Sequence, residues 1–175
     1  SGTISTERMY FAPPLGIMRL AGYLSAHGHD AEYYDPNLYA CTRNGPSLKE
    51  KLRKNSWDII GFSVLDDTKA LDISNMYLAQ KYCPNALLIA GGAAAQFDYQ
   101  TVLDKSPCQI VVIGEGEKVM QQLADGESLE NINGIIFKSA NVPLTPEEFL
   151  EATNALDYEN VPYEKYWDYY LDLYK

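Results

Sequence analysis

The chain has 175 residues, of which 46% are hydrophobic and 22% are charged, and its formal net charge is −10. These values are typical of one ordinary globular domain with a core of its own. The acidic balance argues against nucleic acid as a partner, and no apolar run approaches the length of about 18 residues that crosses a membrane.

Helices and strands alternate along the chain. The apolar periodicity and the turn residues predict the following order: a helix over residues 15–27, a strand over 31–35 stopped by Pro36, a loop over 37–45, a helix over 48–54 capped by Ser47, a strand over 58–63, a helix over 68–82, a strand over 86–90, a helix over 99–104, a strand over 109–113, a helix over 117–124 and an edge strand over 134–138. Such alternation predicts a doubly wound parallel sheet in a three-layer αβα domain.

Both ends of the chain differ from this pattern. Residues 1–9 are polar and do not supply the buried strand with which such a fold begins, so we expect the chain to start after that strand. Residues 141–175 are acidic and rich in tyrosine. A tail with so many aromatic residues is not expected to stay solvated alone, so we assign 1–140 to the α/β domain and 141–175 to an arm or linker.

The three cysteines are Cys41, Cys83 and Cys108. Their odd number and wide spacing fit neither a disulfide framework nor a metal knuckle, and the first ten residues lack the apolar stretch of a secretory signal. We therefore expect the protein in the reducing cytoplasm.

Three turns that follow buried strands carry glycine or other small residues: Ser63–Thr68, Gly91–Ala95 and Gly114–Glu117. Ligands bind at the carboxyl ends of the strands in an open parallel sheet. Glycine lets a ligand approach the backbone, and the helix that follows presents unpaired N–H groups. None of the turns is a phosphate loop or a dinucleotide fingerprint. The sequence therefore predicts one cleft bordered by the three turns.

Ser63-x-Leu65, followed by 25 residues and then Gly91-Gly92, resembles two of the three parts of the vitamin B12-binding signature. The resemblance implies that the serine meets the dimethylbenzimidazole tail of cobalamin and that the glycines make room for it. The third part, D-x-H-x-x-G, would place its cobalt-binding histidine at Pro13, so this chain departs from the signature. His27 and His29 lie at the far end of the helix. The resemblance therefore implies base-off cobalamin without a protein histidine ligand.

A second resemblance covers about residues 10–140 and rests on four motifs in order: Pro13–Leu24, Trp57–Ser63, Gly91-Gly92 and Gly114-Glu115-Gly116-Glu117. They are similar to the N-terminal cobalamin-binding domain of B12-dependent radical SAM enzymes, a Rossmann-like or flavodoxin-like fold that typically lacks the histidine. The family implies a methyltransferase or a similar enzyme, which in full length also holds a 4Fe-4S cluster and S-adenosylmethionine. The cysteines cannot form the cluster motif C-x-x-x-C-x-x-C. We therefore expect a fragment, not catalytic by itself, whose partner is the absent radical SAM domain of the same chain.

The resemblance implies no catalytic or metal-ligating residue here, but it implies cofactor contacts at four places along the chain. They are Pro13, Pro14, Leu15, Gly16, Ser63, Val64, Leu65, Asp66, Thr68, Gly91, Gly92, Ala93, Gly114, Glu115, Gly116 and Glu117. Glu117 fits a helix-capping role equally well, because acids favour the first turn. We interpret Arg19 as a surface or salt-bridge residue.

Three alternatives stay open. Asp66-Asp67 suggests a phosphoacceptor receiver domain, although Gly114-Glu115 stands where that class needs a lysine, with Lys118 nearby. A flavodoxin-like flavin domain needs a hydroxyl-rich phosphate loop, which residues 11–16 are not. The third alternative is a cofactor-free domain of the same fold that acts as an interaction or docking module, a role that the aromatic, acidic arm would suit.

Overall fold

The computed structural model of the protein describes residues 12–42, 45–137, 140–142 and 163–173. Its helices are α1 (Leu15–Ala26), α2 (Pro36–Thr42), α3 (Leu48–Lys54), α4 (Lys69–Tyr82), α5 (Ala93–Phe97), α6 (Tyr99–Lys105), α7 (Glu117–Ala124) and α8 (Tyr163–Leu173). Its strands are β1 (Ile59–Ser63), β2 (Leu87–Gly91), β3 (Ile110–Val112), β4 (Ile135–Phe137) and β5 (Ala140–Val142). None of the described helices has the length and apolar character needed to span a membrane.

The strands form one sheet in the order β1-β2-β3-β4-β5. β1, β2 and β3 run parallel, whereas β4 is antiparallel to β3 and β5 is antiparallel to β4. Ser63 pairs with Gly91, and Ala90 pairs with Val111, so the carboxyl ends of the three parallel strands lie at one edge.

Helices cover both faces of this sheet. Ile89 and Ile110 belong to the apolar cluster under α1 and α7. Their neighbours Ala90 and Val111 belong to the cluster under α4, α5 and α6. Successive residues of a strand point to opposite faces, so each buried strand serves two cores. The predicted α/β class with a layered αβα arrangement is confirmed, and the sheet is parallel over its first three strands only.

The predicted strand over 31–35 is wrong, and so is the loop after it. No ladder is formed by these residues, and α2 begins directly at Pro36. The reason is local: the Asp35 carboxylate accepts a hydrogen bond from the Asn37 N–H at 2.9 Å. Asp35 thus acts at the helix start, and proline suits the first helical position because that N–H needs no partner.

Two smaller predictions also need correction. The chain between β2 and β3 forms two short helices, α5 and α6, where one was predicted. The strand predicted at the sheet edge is β4, which pairs on both sides, with β3 and with β5.

The start of α3 carries a capping box. The Ser47 hydroxyl accepts from the Glu50 N–H, and the Glu50 side chain accepts from the Ser47 N–H. We expect Ser47→Ala to lower the free energy of unfolding by about 1 kcal/mol, because the exposed N–H groups of the first turn lose an acceptor. Urea denaturation measures the change, and Ser56→Ala, in the exposed loop after α3, is the control; equal losses in both variants would contradict the capping role.

Candidate functional site

The turns after β1 and β2 are joined by backbone hydrogen bonds. The Val64 N–H donates to the Gly91 carbonyl at 2.8 Å, and the Ala94 N–H donates to the Val64 carbonyl at 3.1 Å. The register of the strands already sets Ser63 beside Gly91. The structure therefore brings together the first two turns that the sequence predicted to share a cleft.

Gly92 lies at the tightest point of this junction. Its φ is 90°, and a Cβ added there would stand 2.9 Å from the Val64 carbonyl oxygen and 3.2 Å from the Ser63 Oγ. A positive φ favours glycine, and the distances leave no space for a methyl group. Gly91 differs, since a Cβ there would make an ordinary contact of 3.9 Å with Val112.

The turn after β3 is tied to the second turn through a side chain. Gly114 has a φ of 85°, and its N–H donates to the Gln96 side-chain oxygen at 2.7 Å. Gln96 lies on α5, three residues after Ala93, with which that helix begins. Sequence reasoning missed Gln96 because α5 itself was not predicted and no motif marks it.

α1 packs against the third turn. A Cβ on Gly116 would stand 3.0 Å from the Leu20 Cδ1. Arg19 forms ion pairs with Glu117 at 2.6 Å and with Glu115 at 3.5 Å. Pro13 and Pro14 lead directly into α1, and Leu15 and Gly16, its first two residues, are exposed.

Glu117 is buried, with only 3% of its surface exposed. Burial raises the pKa of its carboxyl group, while its own backbone N–H and Arg19 oppose that effect. Glu117 is the first residue of α7, as the capping interpretation required, but its closest charged partner is Arg19. The salt-bridge interpretation of Arg19 is thereby confirmed.

Polar contacts also hold the start of α4. The Thr68 hydroxyl donates to the Asp72 carboxylate at 2.7 Å, so its proton is used within this segment. Burial raises the pKa of Asp72 above its usual value, against the effect of that hydrogen bond. Lys69 pairs with Asp98 at 2.7 Å and faces the exposed Asp66 at 3.8 Å. Lys69 and Asp98, which were not predicted, therefore connect the first turn to the α5–α6 junction.

Both histidines lie at the opposite end of α1. The His27 ring stacks on Tyr23 with centroids 4.1 Å apart, and the His29 Nε2 lies 3.2 Å from Asp125. Twelve residues of helix span about 18 Å. Pro13, which takes the place of the cobalt-binding histidine in the resemblance, lies before the other end of α1.

Large apolar side chains surround the turns. Leu15, Leu65 and Phe97 are 44%, 52% and 83% exposed. Leu15 opens α1, Leu65 follows β1, and Phe97 ends α5. Small residues between strand ends leave the backbone open to the amides around a corrin ring, and the exposed apolar side chains fit the apolar faces of the ring and its aromatic tail. The residues present therefore fit cobalamin.

Known proteins share both sequence and fold with this chain. A protein-family model described as B12 binding domain matches residues 3–124. An anaerobic magnesium-protoporphyrin IX monomethyl ester cyclase from Cereibacter sphaeroides is 28% identical over 120 residues, which cover 68% of this chain and 19% of the cyclase. The chain thus spans about a fifth of the length of this relative.

Two solved structures have a similar fold. The radical S-adenosylmethionine methyltransferase TsrM from Kitasatospora setae, with cobalamin and a [4Fe-4S] cluster bound, has a TM-score of 0.64 at 18% identity, covering 75% of this chain and 26% of that chain. The cobalamin-dependent S-adenosylmethionine radical enzyme OxsB, with aqua-cobalamin bound, has a TM-score of 0.67 at 21% identity, covering 89% and 23%. The fold predicted from the sequence is the fold of these cobalamin-containing proteins.

Proposed function

Since the chain belongs to the B12 binding domain family, we propose that it binds base-off cobalamin at the carboxyl edge of its sheet, without a protein histidine ligand. The observation that carries the proposal is the junction of Ser63, Val64 and Gly92, where backbone and hydroxyl stand so close that only glycine fits. The chain itself fills this junction, which fixes the ends of β1 and β2 at the carboxyl edge of the sheet, where ligands bind in open parallel sheets.

Each turn has a proposed part in binding. Gly91, Gly92 and Ala93 line the slot for the benzimidazole tail. Ser63 and Thr68 hydrogen-bond the tail or the amides of the corrin ring, Thr68 as an acceptor because its proton goes to Asp72. Gly114, Gly116 and the backbone around Glu115 meet the nucleotide loop, and Pro13, Pro14, Leu15, Gly16, Leu65 and Asp66 lie beneath the corrin. The side chains of Val64 and Glu117, which the sequence also suggested as contacts, are buried, so they hold the turns in place and do not touch the cofactor.

The lower face of the corrin meets no imidazole in this proposal. His27 and His29 are engaged with Tyr23 and Asp125 at the far end of α1, and Pro13 has no side chain that could bind a metal. Bound cobalamin would supply a cobalt centre able to carry a methyl group. The chain's own part is to hold the ring against apolar side chains such as Leu15 and Leu65 and to keep water from its lower face.

The proposal extends to the longer protein. We assign residues 1–140 to cobalamin binding and residues 141–175 to an arm that leads toward a radical SAM domain carrying a 4Fe-4S cluster and S-adenosylmethionine. The greater length of the relatives supports this organisation. Within the arm, Tyr166 of α8 contacts Asp35, so this part of it packs on the α/β domain. The whole protein would then be a B12-dependent radical SAM methyltransferase or a related enzyme.

Retention of a corrinoid tests the proposal. The purified chain is mixed with hydroxocobalamin, excess ligand is removed by gel filtration, and the visible spectrum of the protein fraction is recorded under oxidising and reducing conditions. We expect about one equivalent of corrinoid per chain, as for a single site, with the bands of the base-off form. A protein fraction without corrinoid under both conditions would contradict the proposal and favour a cofactor-free docking module.

A further inference from the structure

Arg19 joins two turns of the proposed cobalamin site. It lies one helical turn after Gly16, and its side chain is only 17% exposed. Its Nε is 2.6 Å from one oxygen of Glu117, and its terminal nitrogen is 3.5 Å from Glu115. Arg19 therefore connects the start of α1 to the turn before α7.

Because Glu117 is buried, its carboxylate depends on the contact with Arg19. Its second carboxylate oxygen, Oε2, is inaccessible to solvent and has no hydrogen-bond partner among the residues that the structure describes. A buried carboxylate without a counter-ion is strongly unfavourable. Movement of α1 away from α7 would remove Arg19 from Glu117 and leave its charge stabilised only by the N–H groups of Gly116 and Glu117.

Further contacts between α1 and α7 lie away from the turns. One helical turn along both helices, the Tyr23 hydroxyl donates to the Gln121 side-chain oxygen at 3.0 Å. Beyond the end of α1, His29 meets Asp125 at 3.2 Å. These contacts hold the same two helices together, but Arg19 and Glu117 form the contact nearest to the site.

We infer that Arg19 is a positioning residue for cobalamin: its pairing with Glu117 fixes the Pro13–Gly16 turn at the distance from the Gly114–Glu117 turn that the cofactor requires. The inference rests on the proposed function. A site whose sides are held in place before binding loses less entropy when the ligand enters. Without Arg19, the two turns must be ordered by the cofactor itself, which weakens binding.

Titration of four proteins with hydroxocobalamin tests the inference: the wild-type chain and the variants Arg19→Met, Arg19→Lys and Tyr23→Phe. We expect Arg19→Met to raise Kd by about tenfold or more, since one partner of a buried charge pair is lost. Arg19→Lys restores part of the affinity, because lysine keeps the charge but not the planar fork. Tyr23→Phe loosens the same helix pair away from the turns and keeps the wild-type Kd.

The thermal unfolding midpoints of the same proteins distinguish a positioning role of Arg19 from a general loss of stability. Each titration is made well below the midpoint of that protein. Two results would overturn the inference: a wild-type Kd in Arg19→Met, or a Tyr23→Phe variant that loses as much affinity as Arg19→Met for an equal loss of stability. A wild-type chain that binds no hydroxocobalamin would overturn the proposed function and this inference with it, so the two failures are distinguishable.

Discussion

Gly92→Ala is expected to abolish retention of hydroxocobalamin and to lower the free energy of unfolding by about 1–3 kcal/mol. The added Cβ meets the Val64 carbonyl oxygen at 2.9 Å, and the φ of 90° is unfavourable for alanine. Relief of the contact requires movement of the strand end that carries Ser63. The proposed binding site and the fold are therefore damaged together. Retention after gel filtration measures the first effect, and urea denaturation measures the second.

Gly91→Ala separates these two effects. Its Cβ would make an ordinary contact of 3.9 Å with Val112, so we expect the free energy of unfolding to change by less than about 1 kcal/mol. The methyl group would lie beside Val112 at the strand end where we place the benzimidazole. We expect the Kd for cobalamin to rise about tenfold or more, which corresponds to about 1.4 kcal/mol, while cobinamide, a corrinoid without the nucleotide tail, binds as it does to the wild type.

Gly61→Ala is the matched control. Gly61 also lies in a parallel strand, and a Cβ there would meet the Met120 Cε at 3.9 Å, but the residue is two positions before the strand end. This variant is expected to bind both corrinoids like the wild type. If Gly91→Ala binds cobalamin as well as Gly61→Ala does, the benzimidazole slot does not lie beside Gly91.

The strands predicted correctly are those whose sequence alone indicates burial. Ile59–Ser63, Leu87–Gly91 and Ile110–Val112 are short apolar runs between turn residues, and all three form the parallel ladder. The segment over 31–35 has two tyrosines but also the acids Glu32 and Asp35, and it forms no ladder. A strand requires a partner, and the partner is not encoded in the local pattern. Pro36 was equally ambiguous, because proline can stop a strand or begin a helix.

In the site, too, one part was predictable from the sequence and another was not. Glycine after a buried strand predicted the turns, and the structure brings them to one edge of the sheet. The side chains that connect the turns could not be predicted in this way. Gln96 with Gly114, Lys69 with Asp98 and the Arg19–Glu117 pair are contacts between elements that lie 18, 29 and 98 positions apart. Such pairs depend on tertiary packing, for which a single sequence carries no periodic signal.

Tyr166→Ala is expected to lower the free energy of unfolding by about 3–5 kcal/mol, the usual cost of removing a buried aromatic side chain. Tyr166 is 3% exposed, although it lies on α8, far along the chain from the sheet. Its hydroxyl donates to the Asp35 carboxylate at 2.7 Å, and Asp35 is itself buried at the start of α2. Trp167→Ala is the control, because Trp167 is 65% exposed on the same helix.

The hydroxyl of Tyr166 gives this contact a pH dependence. Burial, and then the hydrogen bond to Asp35, raise the pKa of Tyr166 above its ordinary value of 10.0. The folded state therefore favours the neutral phenol. The resulting stabilisation is complete below pH 10 and is lost as the pH rises above 10. The pKa values of Tyr33 and Tyr34 are also raised, that of Tyr34 to about 12, so these residues act in the same direction. The contribution of Tyr166 alone is therefore the difference between the wild type and Tyr166→Phe.

We expect the free energy of unfolding, measured by urea denaturation, to fall less between pH 7 and pH 11 for Tyr166→Phe than for the wild type. At pH 7 the variant is less stable by about 1–3 kcal/mol, because the buried Asp35 carboxylate loses a donor. Losses of this size would make α8 part of the same folding unit as α2, with this part of the arm fastened at Asp35. Equal stability of Tyr166→Ala and Trp167→Ala would instead assign residues 163–173 to a linker that adds nothing to the fold of the α/β domain.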